Sequence, residues 1–356
     1  APTFSNGEIT STGGTIFLPA TTTISGGIFN CTGSTLSLAG ALNVTGAAFT
    51  APTTLTITGN TTLTGAGTIT VSTLNLTDLA LTLANTNLTV TNAVAFDNGF
   101  EQIITGANDL TLTNTFTMSA GQITSTSGTI TLNGVPTGGT LDFSGSTLTL
   151  NGNLDTTLAA GFVTPTNLSI TAIATLTTAA ATINATNLTL NDLALTLANT
   201  TLNVTNAVAF DNTNEKVITG GNDLTLSAAP TFTNGQITST GGTVTLAANT
   251  IISGGVFDMT GSTLVLSGDA TLTGTTFTAP TTLTLAGNAT LTGAGTITVT
   301  TLNLTNLALT LASTDLTVTN AVTLDNAAER IITGTNNLTL TNTFTMSAGQ
   351  ITSTSG

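Results

Sequence analysis

Residues Thr73–Asn98 read TLNLTDLALTLANTNLTVTNAVAFDN, and Thr186–Asn212 read TNLTLNDLALTLANTTLNVTNAVAFDN. In the first stretch Leu74/Leu76, Leu81/Leu83, Leu88/Val90 and Val94/Phe96 are apolar pairs with one Asn, Thr or Ala between their members. Alternation with period two in Leu, Val and Thr marks short strands with one face buried. Asp78, Asn92 and the pair Asp97-Asn98 fall between the clusters, where a turn needs residues that tolerate unusual backbone angles. The rhythm continues upstream through Leu55/Ile57, Leu63 and Ile69/Val71, one cluster every six or seven residues.

Longer periods frame these clusters. Residues 1–128 align with residues 229–356 without a gap at a shift of 228, and half that shift, 114, relates the two quoted stretches. The repeat units are therefore about 1–114, 115–228 and 229–342, with a partial unit at 343–356. Three strands make a coil of about nineteen residues, and about six such coils fill one unit. The fold expected is all-β: a single continuous right-handed parallel β-solenoid over residues 1–356, with three short strands per coil. Aliphatic side chains stack inside it, and Thr and Asn form ladders outside. Sequence-equivalent residues one unit apart are then expected on the same side. Gly356 matches Gly128, where the first copy runs on into Thr129-Ile130-Thr131-Leu132, so the chain is expected to be part of something longer.

Composition narrows the function. The 356 residues carry 2 Lys plus Arg against 16 Asp plus Glu, a formal charge of −14, and no His, Trp or Tyr. Nucleic-acid binding requires a basic face, which Lys216 and Arg330 cannot supply. Disorder is excluded by 40% hydrophobic and 5% charged residues. No run of eighteen apolar residues occurs, so no helical membrane span is expected. A nucleophile triad lacks its His base, and Lys216 and Arg330 sit one 114-residue shift apart, too distant to share a site. No enzyme activity and no cofactor are expected.

The acidic motif that recurs is FDNxxE. It occurs as Phe96-Asp97-Asn98 with Glu101, Phe210-Asp211-Asn212 with Glu215, and Leu324-Asp325-Asn326 with Glu329. Clustered carboxylate and amide oxygens suit a hard cation such as calcium, which makes Asp97, Glu101, Asp211, Glu215, Asp325 and Glu329 the candidate metal ligands. The simpler reading, a solvated turn with Glu215-Lys216 and Glu329-Arg330 as surface charge, is preferred, and no metal is expected. Cys31 aligns with Phe143 and Met259 and reads as a packing position. The recurring Phe4, Phe116, Phe232 and Phe344 read as core. Thr-x-Thr units such as Thr54-Leu55-Thr56 and Thr68-Ile69-Thr70 point to outward Thr ladders, a surface that could face ice or a ligand.

Short Thr-Leu-Thr runs, tiled over all 356 residues and punctuated by Gly and Asn, resemble the repetitive parallel β-helical shafts of bacterial surface exoproteins. Filamentous-haemagglutinin-like adhesins and autotransporter passenger domains are of this kind. The resemblance implies an extracellular or cell-surface location and a filamentous, Thr-rich structural role as a fibre or stalk segment. Uncapped parallel strand edges favour self-association end to end or laterally into fibres, and an adhesin of this kind is expected to contact host or cell-surface ligands. A ligand-binding adhesin or an ice-binding protein is the alternative.

Overall fold

The computed structural model describes residues 2–157, 159 and 161–354. Ser355 and Gly356, where the sequence suggests a strand cut off in mid-unit, lie outside them. Among the described residues there is no helix; the chain is 59% strand and forms a parallel β-solenoid of about 17 turns, three strands to a turn. It divides into two compact units, Ala1–Ala179 and Ala180–Gly356.

In the first unit the chain returns to the same sheet after each circuit. One column runs through Thr3–Phe4, Thr22–Ile24, Leu42–Val44, the first half of Thr61–Val71, the first half of Ala80–Val90, Gln102–Gly106, Gln122–Ser125, Thr140–Asp142 and Gly161–Val163. Glu8–Thr10, Ile28–Asn30 and Ala48–Thr50 form a second sheet, and Thr15–Leu18, Thr35–Leu38, Thr54–Ile57 and Thr73–Leu76 a third. In-register pairing puts like on like: Leu88, Leu110, Ile130, Leu148 and Leu168 stack as one buried row. The outward neighbours stack too, as Thr70, Thr89, Thr111, Thr131, Thr149 and Ser169.

The second unit repeats this scheme. Ala209–Phe210, Thr231–Phe232, Thr250–Ile252, Ala270–Leu272, Ala289–Val299, Ala308–Val318 and Arg330–Gly334 are successive members of one column. Aromatic rings follow the stacking, with Phe210 on Phe232 at 4.8 Å between centroids and Phe257 on Phe277 at 5.7 Å.

The step between coils is not constant. Phe116 pairs with Gly134, 18 residues on, whereas Ala80 pairs with Gln102, 22 residues on. At the 18-residue step the coils stack closely: a Cβ on Gly134 would lie 2.0 Å from the Phe116 carbonyl oxygen, so only glycine fits. Since most steps are 20 or more, a 114-residue unit holds fewer than six coils, with a consequence for the acidic turns described below.

Candidate functional site: the recurring acidic turns

Each FDNxxE segment leaves a short strand, Val94–Phe96, Ala209–Phe210 or Val322–Leu324, and turns a corner of the coil. The inward Phe96, Phe210 and Leu324 anchor it in the core, all three buried. The following Asp97, Asp211 and Asp325 point to solvent. The glutamates do not: Glu101, Glu215 and Glu329 are only 3%, 6% and 7% exposed, which corrects the reading of Glu215 and Glu329 as surface charge. Glu101 Oε2 accepts hydrogen bonds from the Asp97 N–H at 2.6 Å and the Asn98 N–H at 3.0 Å. Glu215 does the same for Asp211 and Asn212 at 2.6 and 3.0 Å, and Glu329 for Asp325 and Asn326 at 2.8 and 3.2 Å.

The asparagine closes the rest of the turn. Asn98 Oδ1 accepts from the Phe100 N–H, Asn212 Oδ1 from the Asn214 N–H and Asn326 Oδ1 from the Ala328 N–H, each at 3.0 Å. Ionised carboxylates are strong acceptors for backbone N–H groups, so the motif reads as a self-contained capped turn. Hydrogen bonding from the Asp325 N–H, aided by the Asn306 and Asn326 N–H groups, holds the Glu329 carboxyl below the ordinary glutamate range against the opposing effect of burial.

One carboxylate joins a turn from the preceding coil. Asp192, Asp211 and Glu215 place oxygens within 4.8 Å of one another, beside a shallow open cleft of about 370 Å³ lined by Asn187, Leu190, Ala207 and Glu215. Because Glu215 Oε2 is already engaged by two backbone donors, the exposed Asp192 and Asp211 are the carboxylates left at the rim. The position equivalent to Asp192 in the third turn is Asn306, whose N–H donates to Glu329 Oε1 at 3.3 Å. Among the described residues the three-carboxylate grouping therefore belongs to one turn and is not a constant of the motif.

The turns also do not share a side. In the second unit, five steps along the column that begins at Ala209–Phe210 reach Leu309–Leu311 and a sixth reaches Ile331. Asp325 lies between those two positions, after Val322–Leu324, which pairs instead with Phe344–Met346 in a separate sheet. The 114-residue repeat thus spans about five and two-thirds coils, and Asp325 sits a third of a coil away from the face of Asp211. The first unit gives the same result independently. Ile9-Thr10-Ser11-Thr12 and Ile123-Thr124-Ser125-Thr126 are 114 residues apart, yet Glu8–Thr10 belongs to the sheet of Ile28–Asn30, and Gln122–Ser125 to the column that leads back to Thr3–Phe4. The expectation of one common side is overturned because the coil averages about twenty residues.

A second recurring polar group escaped the sequence reading. Asn108 Nδ2 donates to the Leu83 and Thr105 carbonyls at 3.0 and 2.8 Å, and its Oδ1 accepts from the Thr86 N–H at 2.9 Å. Asn222 bonds identically to Leu197, Thr219 and Thr200, and Asn336 to Leu311, Thr333 and Thr314. Each stitches one coil to the next beside Asn85, Asn199 or Ser313, whose φ values of 47°, 50° and 49° are left-handed. The available signal was that Asn persists at these positions while the residue before it changes from Ala107 to Gly221 to Thr335.

Cys31 is fully buried, and burial pushes its thiol up to about 11, in keeping with a packing role. Lys216 lies between Ala194 and Gln236, and Arg330 between Ala308 and Gln350, in different columns. Compared with known proteins, the chain matches no family model, and no curated protein or solved structure is significantly similar to it. What fold and turns define together is the class: a Thr-rich parallel β-solenoid repeat protein.

Proposed function

We propose that the chain is a non-catalytic structural segment of an extracellular fibre or stalk, of the kind found in repetitive bacterial surface exoproteins, and that it self-associates and meets cell-surface ligands along its length. One observation supports this above the others. The charged motif that recurs with the repeat has its buried carboxylate engaged by its own backbone, so its chemistry serves the turn. The asparagine corners likewise serve the contact between coils. Fold analogy supplies the surface role. Electron microscopy and surface labelling of the native material test it: uniform filaments reactive to a membrane-impermeant reagent are expected. Dispersed particles inside the cell would overturn it.

A second reading, ice or ligand binding through a hydroxyl face, is favoured by one feature of the first unit. The row Thr70, Thr89, Thr111, Thr131, Thr149 and Ser169 is uninterrupted over six coils, although Thr149 is only 8% exposed. Thermal hysteresis that is lost on changing Thr89 and Thr131 to bulky residues would support this reading against the first.

A further inference from the structure

The three acidic turns share one hydrogen-bonding scheme but differ at the residue after the asparagine, which is Gly99, Thr213 or Ala327. We infer that Asn98 is a site of spontaneous deamidation and isoaspartate formation in the folded protein, with Asn212 and Asn326 as built-in controls. The bond from the Phe100 N–H to Asn98 Oδ1 holds the side-chain amide over the Gly99 peptide and polarises the carbonyl that must accept negative charge during attack. The Gly99 N–H has no acceptor among the described residues. Gly99 is exposed and a Cβ placed on it would meet nothing within 4 Å, so no side chain crowds the approach of its nitrogen to Asn98 Cγ. The Asn98 carbonyl of the same peptide accepts from the Glu101 N–H at 3.1 Å, and that bond must open for attack, as the matching bonds from Glu215 and Glu329 must in the two control turns. Thr213 carries a branched side chain that obstructs this approach, and Ala327 carries a Cβ.

In the reaction the Gly99 nitrogen loses its proton and attacks Asn98 Cγ. A nitrogen–Cγ bond forms, the Cγ–Nδ2 bond breaks, and ammonia leaves with the added protons. Water then opens the succinimide at either carbonyl, giving aspartate or isoaspartate. The isoaspartate lengthens the main chain by one carbon between Asp97 and Glu101 and shifts the Asn98 N–H away from Glu101 Oε2. The other Asn-Gly pairs lack one or more of these features. Gly235 donates its N–H to Phe210, Asn133-Gly134 and Asn151-Gly152 lie within strands, and at Asn6-Gly7 no backbone N–H among the described residues bonds to the Asn6 side-chain oxygen.

The folded chain is incubated at mildly alkaline pH and mapped by peptide mass spectrometry with isoaspartate detection. Conversion at Asn98 is expected to exceed that at Asn212 and Asn326 by on the order of tenfold, since only there is the following peptide unshielded. Gly99→Thr should bring Asn98 down to the rate of Asn212, and Thr213→Gly should raise Asn212 to that of Asn98. Gly99 is not left-handed and a Cβ there meets nothing within 4 Å, so the first variant folds. Equal rates at the three asparagines, an Asn98 rate indifferent to G99T, or conversion only after unfolding in urea would each overturn the inference.

Discussion

Residues 115–128 and 343–356 are identical, TFTMSAGQITSTSG in both, yet the Phe and Met of the two copies live in different surroundings. Phe116 and Met118 are 0% and 1% exposed, whereas Phe344 and Met346 are 38% and 52% exposed. The first pair is covered by the next coil, where Gly134–Pro136 pairs with Phe116–Met118. The second pair lies in the last coil described. A coil therefore does not own its core: the same inward side chains become core only when a neighbour stacks on them, the nearest-neighbour logic of repeat proteins.

The sharpest way to break this comparison is to delete both rings. In the 356-residue chain Phe116→Ala should cost about 3–5 kcal/mol, and Phe344→Ala, whose ring is 38% exposed, a smaller loss of about 1–2 kcal/mol, both read from denaturant unfolding of single variants. Equal losses would show that covering by the next coil is not what makes Phe116 matter. Gly134→Ala comes next, at about 1–3 kcal/mol, because its Cβ would overlap the Phe116 carbonyl. Crowding at the stacking contact would thereby be separated from burial beneath it.

Asn108→Asp should destabilise by about 1–3 kcal/mol, since the Leu83 and Thr105 carbonyls lose their donor. Asn336→Asp should match it despite its place beside the last coil, because the Asn336 bonds reach back to Leu311 and Thr333. A mild effect at 336 alone would extend the dependence on a covering coil to the polar corners.

Acid should act on the Glu329 turn. The folded carboxyl is held below its unfolded value, so its contribution is fully present above the ordinary glutamate value of about 4.3 and is lost as pH falls through the lowered folded value. Loss of hydrogen-exchange protection at the Asp325 and Asn326 amides, measured relative to the intrinsic rate at each pH, is the expected readout in that acid window, and unchanged protection there would refute the capping role. The smallest effect concerns metal: chelation should leave the melting temperature unchanged. A fall that calcium restores, and that changing Asp97, Asp211 and Asp325 to Asn abolishes, would instead make the turns structural cation sites.

Much of the fold is legible in one stretch. The alternation of Leu81, Leu83, Leu88 and Val90 assigns strands and their inward face, and all four are buried. Turn positions were legible from Asp and Asn, and the packing role of Cys31 from its alignment with Phe143 and Met259. The role of Glu101 was not, because its partners are backbone N–H groups, which every sequence possesses. Nor was the approach of Asp192 to Asp211, which depends on which residues of successive coils lie one above the other.

By itself the sequence determined what is local and periodic: strand from the period of two, solenoid from the density of short strands and the 114-residue repeat, and burial from the phase of the alternation. Tertiary structure alone decided the length of each coil and so the face on which each repeated motif lands. Coil length is set by where a strand finds its partner in the coil below, 18 residues on at Phe116 and 22 at Ala80. Those steps add up along the stack, so a difference of about one residue per coil becomes a third of a turn over one repeat. It carries Asp325 off the face of Asp211 although the two turns are nearly identical in sequence.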